Sequence, residues 1–393
     1  MTGLIIKELE EIEQLTIIGK YHEAIKRTDN IIELKELCEN EQVRALILQS
    51  KSFSMLGRFE LREEYYQKSL ELSELAFSIG KETDDIISLF EAKIWNLWTF
   101  SIQLDFKPKE ILGKIEELKG FNDEIKSKEI SIPKNIEFLF LFILSIEPKL
   151  KIHTIKNHIW DYKETLELLD RSLNLATETG NKENIMLVYW YKALTYRDIS
   201  EYDDALKLYE GALKIAEEYR NEYFSSFFLM RIGLIYWMKG EYNQLLEYIT
   251  RNLDIQQKLE NIRGTGNSYH RIGLYYGETG EWKKALEYFQ KGYDILSEKG
   301  KRESYNDMLN NIGVSHYMMG EYDEALRIYR IAYETNKKHG NTDGAYFVLG
   351  NISMIYTQRG NLDKALELNE EILIQYEKSG YKEGISVQLH RFA

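Results

Sequence analysis

Arg231 and Arg271 stand forty residues apart in a chain whose formal charge is −13. A guanidinium that recurs at one spacing amid acidic sequence marks a local reversal of sign. Amides recur beside it at Asn267, Asn310, Asn311 and Asn351. An amide side chain donates and accepts at once, so it can bond a peptide backbone, while a guanidinium can fork onto a carboxylate. Trp190, Met230, Trp237 and Met354 offer apolar anchors of the kind that dominate interfaces. Tyr191, Arg197, Leu234, His270, Asp307, Tyr317 and Gln358 fall at neighbouring positions of the same pattern. This is the chemistry of polypeptide recognition.

The residue types that break bonds form no comparable pattern. There is no phosphate loop, and Gly264-Thr265-Gly266 lacks both a third glycine and a preceding strand, so it reads as a helix start. His153 and His158 are five residues apart, which does not stack them on one helical face for a metal. His316 occupies a register otherwise held by tyrosine and reads as a packing residue. Lys149, Lys151 and Lys156 read as a solvated loop. The expectation is a chain that is not an enzyme and carries no cofactor or metal.

Composition bounds the partners. The excess of 64 acidic over 51 basic residues argues against a general nucleic-acid binder, which needs basic surface to displace phosphate counterions. A single cysteine, Cys38, excludes an internal disulfide and suits a reducing compartment. The N-terminus has no basic-then-apolar signal. The most apolar run, Phe138 to Ile146, is far shorter than the roughly 20 residues of a membrane span, so a buried helix and no membrane insertion are expected. Together these point to the cytoplasm.

The elements that would position the recognition residues follow a forty-residue ruler. Ser200-Glu201-Tyr202, Gly240-Glu241-Tyr242, Gly280-Glu281-Trp282, Gly320-Glu321-Tyr322 and Gly360-Asn361-Leu362 keep one period. Ala205, Leu245, Ala285, Ala325 and Ala365 follow each mark by five residues. Gly233, Gly273, Gly313 and Ser353 form a second ladder, and Gly180, Gly300, Gly340 and Gly380 mark the connectors. Between the marks apolar residues recur at three- and four-residue steps, as in Leu206, Tyr209, Leu213 and Ala216, which is a helical period. Each unit therefore reads as helix A, a tight turn, helix B and a short connector. A glycine inside helix A costs about 1 kcal/mol relative to alanine, so its recurrence implies a close crossing, with Ala205, Ala285 and Ala325 of helix B facing the glycines. Relative to those glycines, the recognition residues named above lie on or beside the inner face of the A helices.

Ile312-Gly313, His316, Gly320, Tyr322, Ala325, Tyr329 and Ala332, and again Ile272-Gly273, Tyr276, Gly280, Trp282, Ala285, Phe289 and Gly292, resemble the tetratricopeptide (TPR) repeat family. The forty-residue unit and the triplets Asn311-Ile312-Gly313 and Asn351-Ile352-Ser353 resemble the subclass that includes kinesin light chains and spindle-orientation adaptors. The family's terminal proline is absent. The resemblance implies an all-α fold, a right-handed superhelical solenoid of antiparallel helix pairs whose concave groove, lined by the A helices, holds a partner segment. The expected ligand is a protein or peptide of acidic or C-terminal carboxylate character near Arg231 and Arg271, and self-association through Tyr-rich surface stays open.

Along the chain, residues 1–80 read as TPR-like repeats with turns at Gly19-Lys20-Tyr21 and Gly57-Arg58-Phe59. Residues 81–160, which hold all three prolines, read as degenerate helical repeats with longer connectors. Residues 161–380 read as the regular array. Residues 381–393 read as a partial helix of a further repeat or a cap, with a fragment of a longer protein as the favoured reading. The function expected is a scaffold or adaptor; the alternative is a sensory or regulatory array controlling an effector domain in a longer chain.

Overall fold

A computed structural model describes residues 2–34, 37–60, 62–83, 85–102, 107–152, 160, 162–298 and 306–379. The expected helix at 381–393, the connector glycines Gly300 and Gly380, and His153, Lys156 and His158 lie outside the described residues. Among the described residues every regular element is an α-helix, and the fold is an all-α solenoid of helix pairs. The first eight helices are α1 (Thr2–Ile17), α2 (Tyr21–Ile32), α3 (Glu39–Glu60), α4 (Glu63–Thr83), α5 (Ile86–Ile102), α6 (Pro108–Ser127), α7 (Lys134–Leu144) and α8 (Glu147–Ile152). On the regular ruler come α9 (Tyr162–Glu178), α10 (Lys182–Asp198), α11 (Tyr202–Glu218), α12 (Glu222–Lys239), α13 (Tyr242–Lys258) and α14 (Ile262–Glu278). They continue through α15 (Trp282–Glu298), α16 (Asn306–Met318), α17 (Tyr322–Lys338), α18 (Thr342–Gln358) and α19 (Leu362–Ser379). No helix among the described residues is long and apolar enough to cross a membrane, and the run from Phe138 lies mostly in α7, with Phe138 and Ile143 buried.

The local chemistry explains the ruler. Gly240, Gly280, Gly320 and Gly360 sit at φ between +74° and +78°, the left-handed region that ends each A helix. Ser200 takes the same conformation at φ +67° without glycine's freedom. Asn181, Asn221, Asn261 and Asn341, a fifth forty-residue register, cap α10, α12, α14 and α18. Each accepts a bond from the backbone N–H three residues on, at 3.0 to 3.1 Å. Ala205, Ala285 and Ala325 are fully buried, but at Gly273 and Gly313 the atoms nearest the glycine belong to an aromatic ring. A Cβ on Gly273 would stand 2.6 Å from the Phe289 ring, and one on Gly313 would stand 2.4 Å from the Tyr329 ring. At Gly273 and Gly313 glycine is required because an aromatic ring of helix B lies against the backbone.

One N-terminal turn is placed differently. Gly57-Arg58-Phe59 is inside α3, which runs on to Glu60, and Arg62 lies in the connector that follows. Gly57 takes the role of the later mid-helix glycines, since its Cβ would come within 2.9 Å of the Tyr66 ring.

The chain forms two compact units, Met1–Glu241 and Tyr242–Ala393, which part inside the stretch that keeps the ruler. In the first, α3 reaches α10 and α12 far along the chain. Lys51 Nζ donates to Glu183 at 2.5 Å, Phe59 packs edge-on against Phe224 at 5.1 Å, and the Arg58 guanidinium lies 5.1 Å from the Trp190 ring. Asn221, besides capping α12, donates to the carbonyl of Ile17 at 3.0 Å. In the second unit, α16 to α19 close over a core of Leu309, Tyr329, Val348, Ile352, Ile372 and Tyr376.

The closure of the first unit gathers charge inside it. Burial pushes the Glu91 carboxyl of α5 up to about 7, Glu13 adding to the shift while Lys51, a bond from Trp95 and Arg44 oppose it. A carboxyl whose folded pKa exceeds its unfolded value near 4.5 binds more protons when folded between the two values. Its stabilising contribution is therefore complete below about pH 4.5 and lost as pH rises through 7. Between pH 5 and pH 8 the wild type is expected to lose on the order of 2–3 kcal/mol that Glu91→Gln does not lose. Urea unfolding followed by tryptophan fluorescence at those pH values measures it, and parallel pH profiles for the two proteins would reject the assignment.

Candidate functional site

The recognition residues divide between the two units, and the division decides what each can do. In the first unit, Trp190 is only 2% exposed. Phe227 meets it edge-on at 4.5 Å, and Trp98 lies 6.3 Å away. Tyr191 is wedged against Phe142 at 4.9 Å and Trp98 at 5.6 Å, and burial raises its phenol pKa. The Arg231 guanidinium lies 4.8 Å from the Phe227 ring, and Arg197 is held by its neighbour Asp198 at 2.5 Å. Met230, Leu234 and Trp237 are half-buried on α12. Trp190 and Tyr191 thus serve packing, because α3, α5 and α7 supply the A helices of this unit with a second layer of neighbours.

In the second unit, polar side chains of three successive A helices, amides on two and a histidine on the third, bond one another. Asn351 of α18 donates to Asn310 Oδ1 of α16 at 2.8 Å, and Asn310 donates to Asn311 Oδ1 at 3.4 Å. Asn311 Nδ2 stands 2.8 Å from His270 Nε2 of α14. Burial lowers the pKa of His270, with Asp307 opposing and Arg271 adding, so the ring is neutral and Nε2 accepts from Asn311. The asparagines flanking the core register therefore bond the neighbouring repeats. Of the remaining residues, Asn267 and Arg271 are half-buried, and burial draws the Arg271 pKa down. Tyr317 packs on Tyr322 at 5.6 Å, while Met354 and Gln358 are exposed.

Beside this relay opens a pocket of about 390 Å³ whose lining includes His270, Asp307, Asn310 and Asn311. Four further polar residues line it that sequence reasoning does not single out: Asn306, Asn336, Asn341 and Asp343. Asn341 is legible through its capping register; Asn306 and Asn336 carry no periodic signal. Phe347, 51% exposed, and Tyr376 complete the wall. Among the described residues the charged members of the lining are Asp307 and Asp343, and neither Arg231 nor Arg271 belongs to it. The expected meeting of a carboxylate ligand with these two arginines has no support in this geometry, and the two fall in different compact units. No cluster of three or more metal-ligating side chains occurs among the described residues.

The family model described as tetratricopeptide repeat matches residues 226–298 and 304–378, and that of anaphase-promoting complex subunit 5 matches residues 153–232. No curated protein matches the sequence. Among solved structures, the chain is similar to a signal-transduction ATPase with numerous domains (STAND) from Pyrococcus horikoshii that has a tetratricopeptide repeat sensor. The identity is 15% and the TM-score 0.63, over 94% of this chain and 55% of that one. The chain thus spans about half the length of that protein. It is similar over 98% of its own length to 97% of the apo form of RapI, at 14% identity and a TM-score of 0.54. A third likeness, to BtubC from P. vanneervenii, covers 60% of this chain and 93% of that one at 15% identity, with a TM-score of 0.50. At these identities the likeness is one of fold. Residues 226–298 and 304–378 match the tetratricopeptide repeat model, within a chain whose helix-pair fold extends through both units.

Proposed function

We propose that the chain is a protein-interaction scaffold, and that the A-helix face of its second unit holds an extended segment of a partner polypeptide. The observation that carries this reading is the amide relay running from Asn351 through Asn310 and Asn311 to His270 beside the 390 Å³ pocket. The relay holds several amides in fixed orientation on one face, and a rigid row of amides suits the repeating N–H and C=O groups of an extended chain. The forty-residue spacing adds the resemblance to kinesin light chains and spindle-orientation adaptors. A second reading, a sensor array governing an effector in a longer protein, draws on the STAND likeness; it puts a ligand on the same face.

The test is selection of peptides from a display library on the full chain, followed by hydrogen exchange of the complex. Bound peptide is expected to slow exchange in α14, α16 and α18, and Asn310→Ala/Asn351→Ala is expected to weaken binding about tenfold or more. If the double variant melts lower yet binds the selected peptides unchanged, the relay is a structural tie between repeats and the proposal fails.

A further inference from the structure

We infer that the pocket beside the amide relay receives a cationic nitrogen group, the guanidinium or ammonium of an arginine or lysine side chain in the bound polypeptide; this rests on the proposed peptide-binding face. Hydrogen-bond accounting leads there. Each of the lining asparagines already donates one side-chain N–H within the chain and keeps a second. Asn310 and Asn311 donate along the relay, Asn306 and Asn341 both donate to Asn336 Oδ1 at 3.3 and 2.8 Å, and Asn336 donates to the Ala332 carbonyl at 2.9 Å. Among the described residues of this wall, the buried polar atom left with no partner at all is an acceptor.

The acceptor that stands out is Asn306 Oδ1. Asn306 is only 8% exposed, and this oxygen meets no donor among the described residues. A buried carbonyl oxygen left without a donor is costly, and in a pocket wall it is most simply completed by a ligand. Asp307 and Asp343 flank it, both exposed and neither ion-paired among the described residues. Each lies in the first turn of its helix, where the dipole favours a carboxylate; the dipole accounts for their helix, and the empty acceptor beside them accounts for their use. Among the described residues no lysine or arginine lines the pocket, and neutral His270 adds no positive charge. Phe347 offers a half-exposed ring on which an aliphatic stem or a guanidinium plane can lie. An anionic segment would meet the like charge of the two carboxylates.

The experiment compares wild type with Asp307→Asn/Asp343→Asn. Both carboxylates are exposed, so the double variant is expected to fold like the wild type and to melt only slightly lower, through the lost dipole interaction. Peptides selected on wild type are expected to be rich in arginine or lysine, and replacing that residue with glutamine should weaken binding about tenfold or more. The same loss is expected from the double variant, with no further loss when both changes are combined. Peptides that bind α14, α16 and α18 without basic enrichment, and equally well to both proteins, would overturn the cationic pocket while leaving the peptide-binding face standing. Spermidine is titrated alone as a second probe. If it binds in an Asp307- and Asp343-dependent way while no peptide does, the pocket chemistry holds and the partner is a free polyamine. If neither probe binds, both readings fall.

Discussion

Replacing Lys51 with methionine is expected to destabilise the first unit by about 3–5 kcal/mol, the cost of stripping the partner from a buried charge. Lys51 is 7% exposed and Glu183 fully buried, and they meet at 2.5 Å across 132 residues of sequence. Lys51 donates to Glu183 Oε2, and Oε1 has no donor among the described residues, so loss of the ammonium leaves a whole carboxylate without compensation. Burial pulls the Lys51 pKa down, but Glu183, with Glu13 and Glu91 behind it, more than offsets this and raises it. The single deletions are therefore unequal. Glu183→Leu leaves Lys51 facing Glu13 and Glu91, which retain part of its compensation, whereas Lys51→Met leaves three carboxylates with less cation among them. Lys51→Met/Glu183→Leu should recover most of the stability, since a buried pair replaced by apolar residues is often neutral or better. Trp95, Trp98 and Trp190 are buried in this unit, so tryptophan fluorescence during urea unfolding follows the event. A single-mutant cost below about 1 kcal/mol, the worth of an exposed pair, would mean that α3 does not close on α10 in solution.

That closure also marks where sequence reading stops. The ruler makes the helix pairs, the turn glycines and the burial of Ala205, Ala285 and Ala325 legible, because each arises within one repeat and recurs. The seating of α3 on α10 and α12 happens once, between residues more than a hundred positions apart, so no period announces it. It does leave a local trace. In α12, Phe227 to Met230 are apolar without a break, and in α10 the same holds from Ile185 to Val188, a full helical turn in each. A helix apolar on all faces has neighbours on all faces. A-helix geometry alone puts Trp190 and Tyr191 in a groove, since it assumes an open inner face; α3, α5 and α7 occupy it. In the second unit α14, α16 and α18 keep polar inner positions, and there the same geometry locates His270, Asp307, Asn310 and Asn311 on the pocket wall. Gly57 misleads for a related reason. Gly-Arg-Phe imitates the turn Gly-Lys-Tyr, and only the Tyr66 ring lying over its backbone identifies it as a packing glycine.

The packing glycines set the second large effect. Gly273→Leu is expected to lower stability by about 1–3 kcal/mol through overpacking. Even the first added carbon would lie 2.6 Å from Cδ1 and Cε1 of Phe289, a ring 2% exposed that has no open side to retreat to. Replacing glycine inside a helix returns up to about 1 kcal/mol of propensity, so the net loss reads the clash against that gain. Gly113 isolates the gain. It lies inside α6 with nothing within 4 Å of where a Cβ would stand, and Gly113→Ala is expected to stabilise by about 0.5–1 kcal/mol. The sign thus reverses between two mid-helix glycines according to what lies above them. Phe289→Ala alone should cost about 3–5 kcal/mol as a cavity. Combined with Gly273→Leu it should cost less than the sum, because the leucine fills space the ring vacates. Melting curves for the three single variants and the double variant measure all four terms. Strict additivity at Gly273 and Phe289 would show that the ring and the glycine do not share one contact, and ring packing would no longer explain why glycine recurs on this ruler.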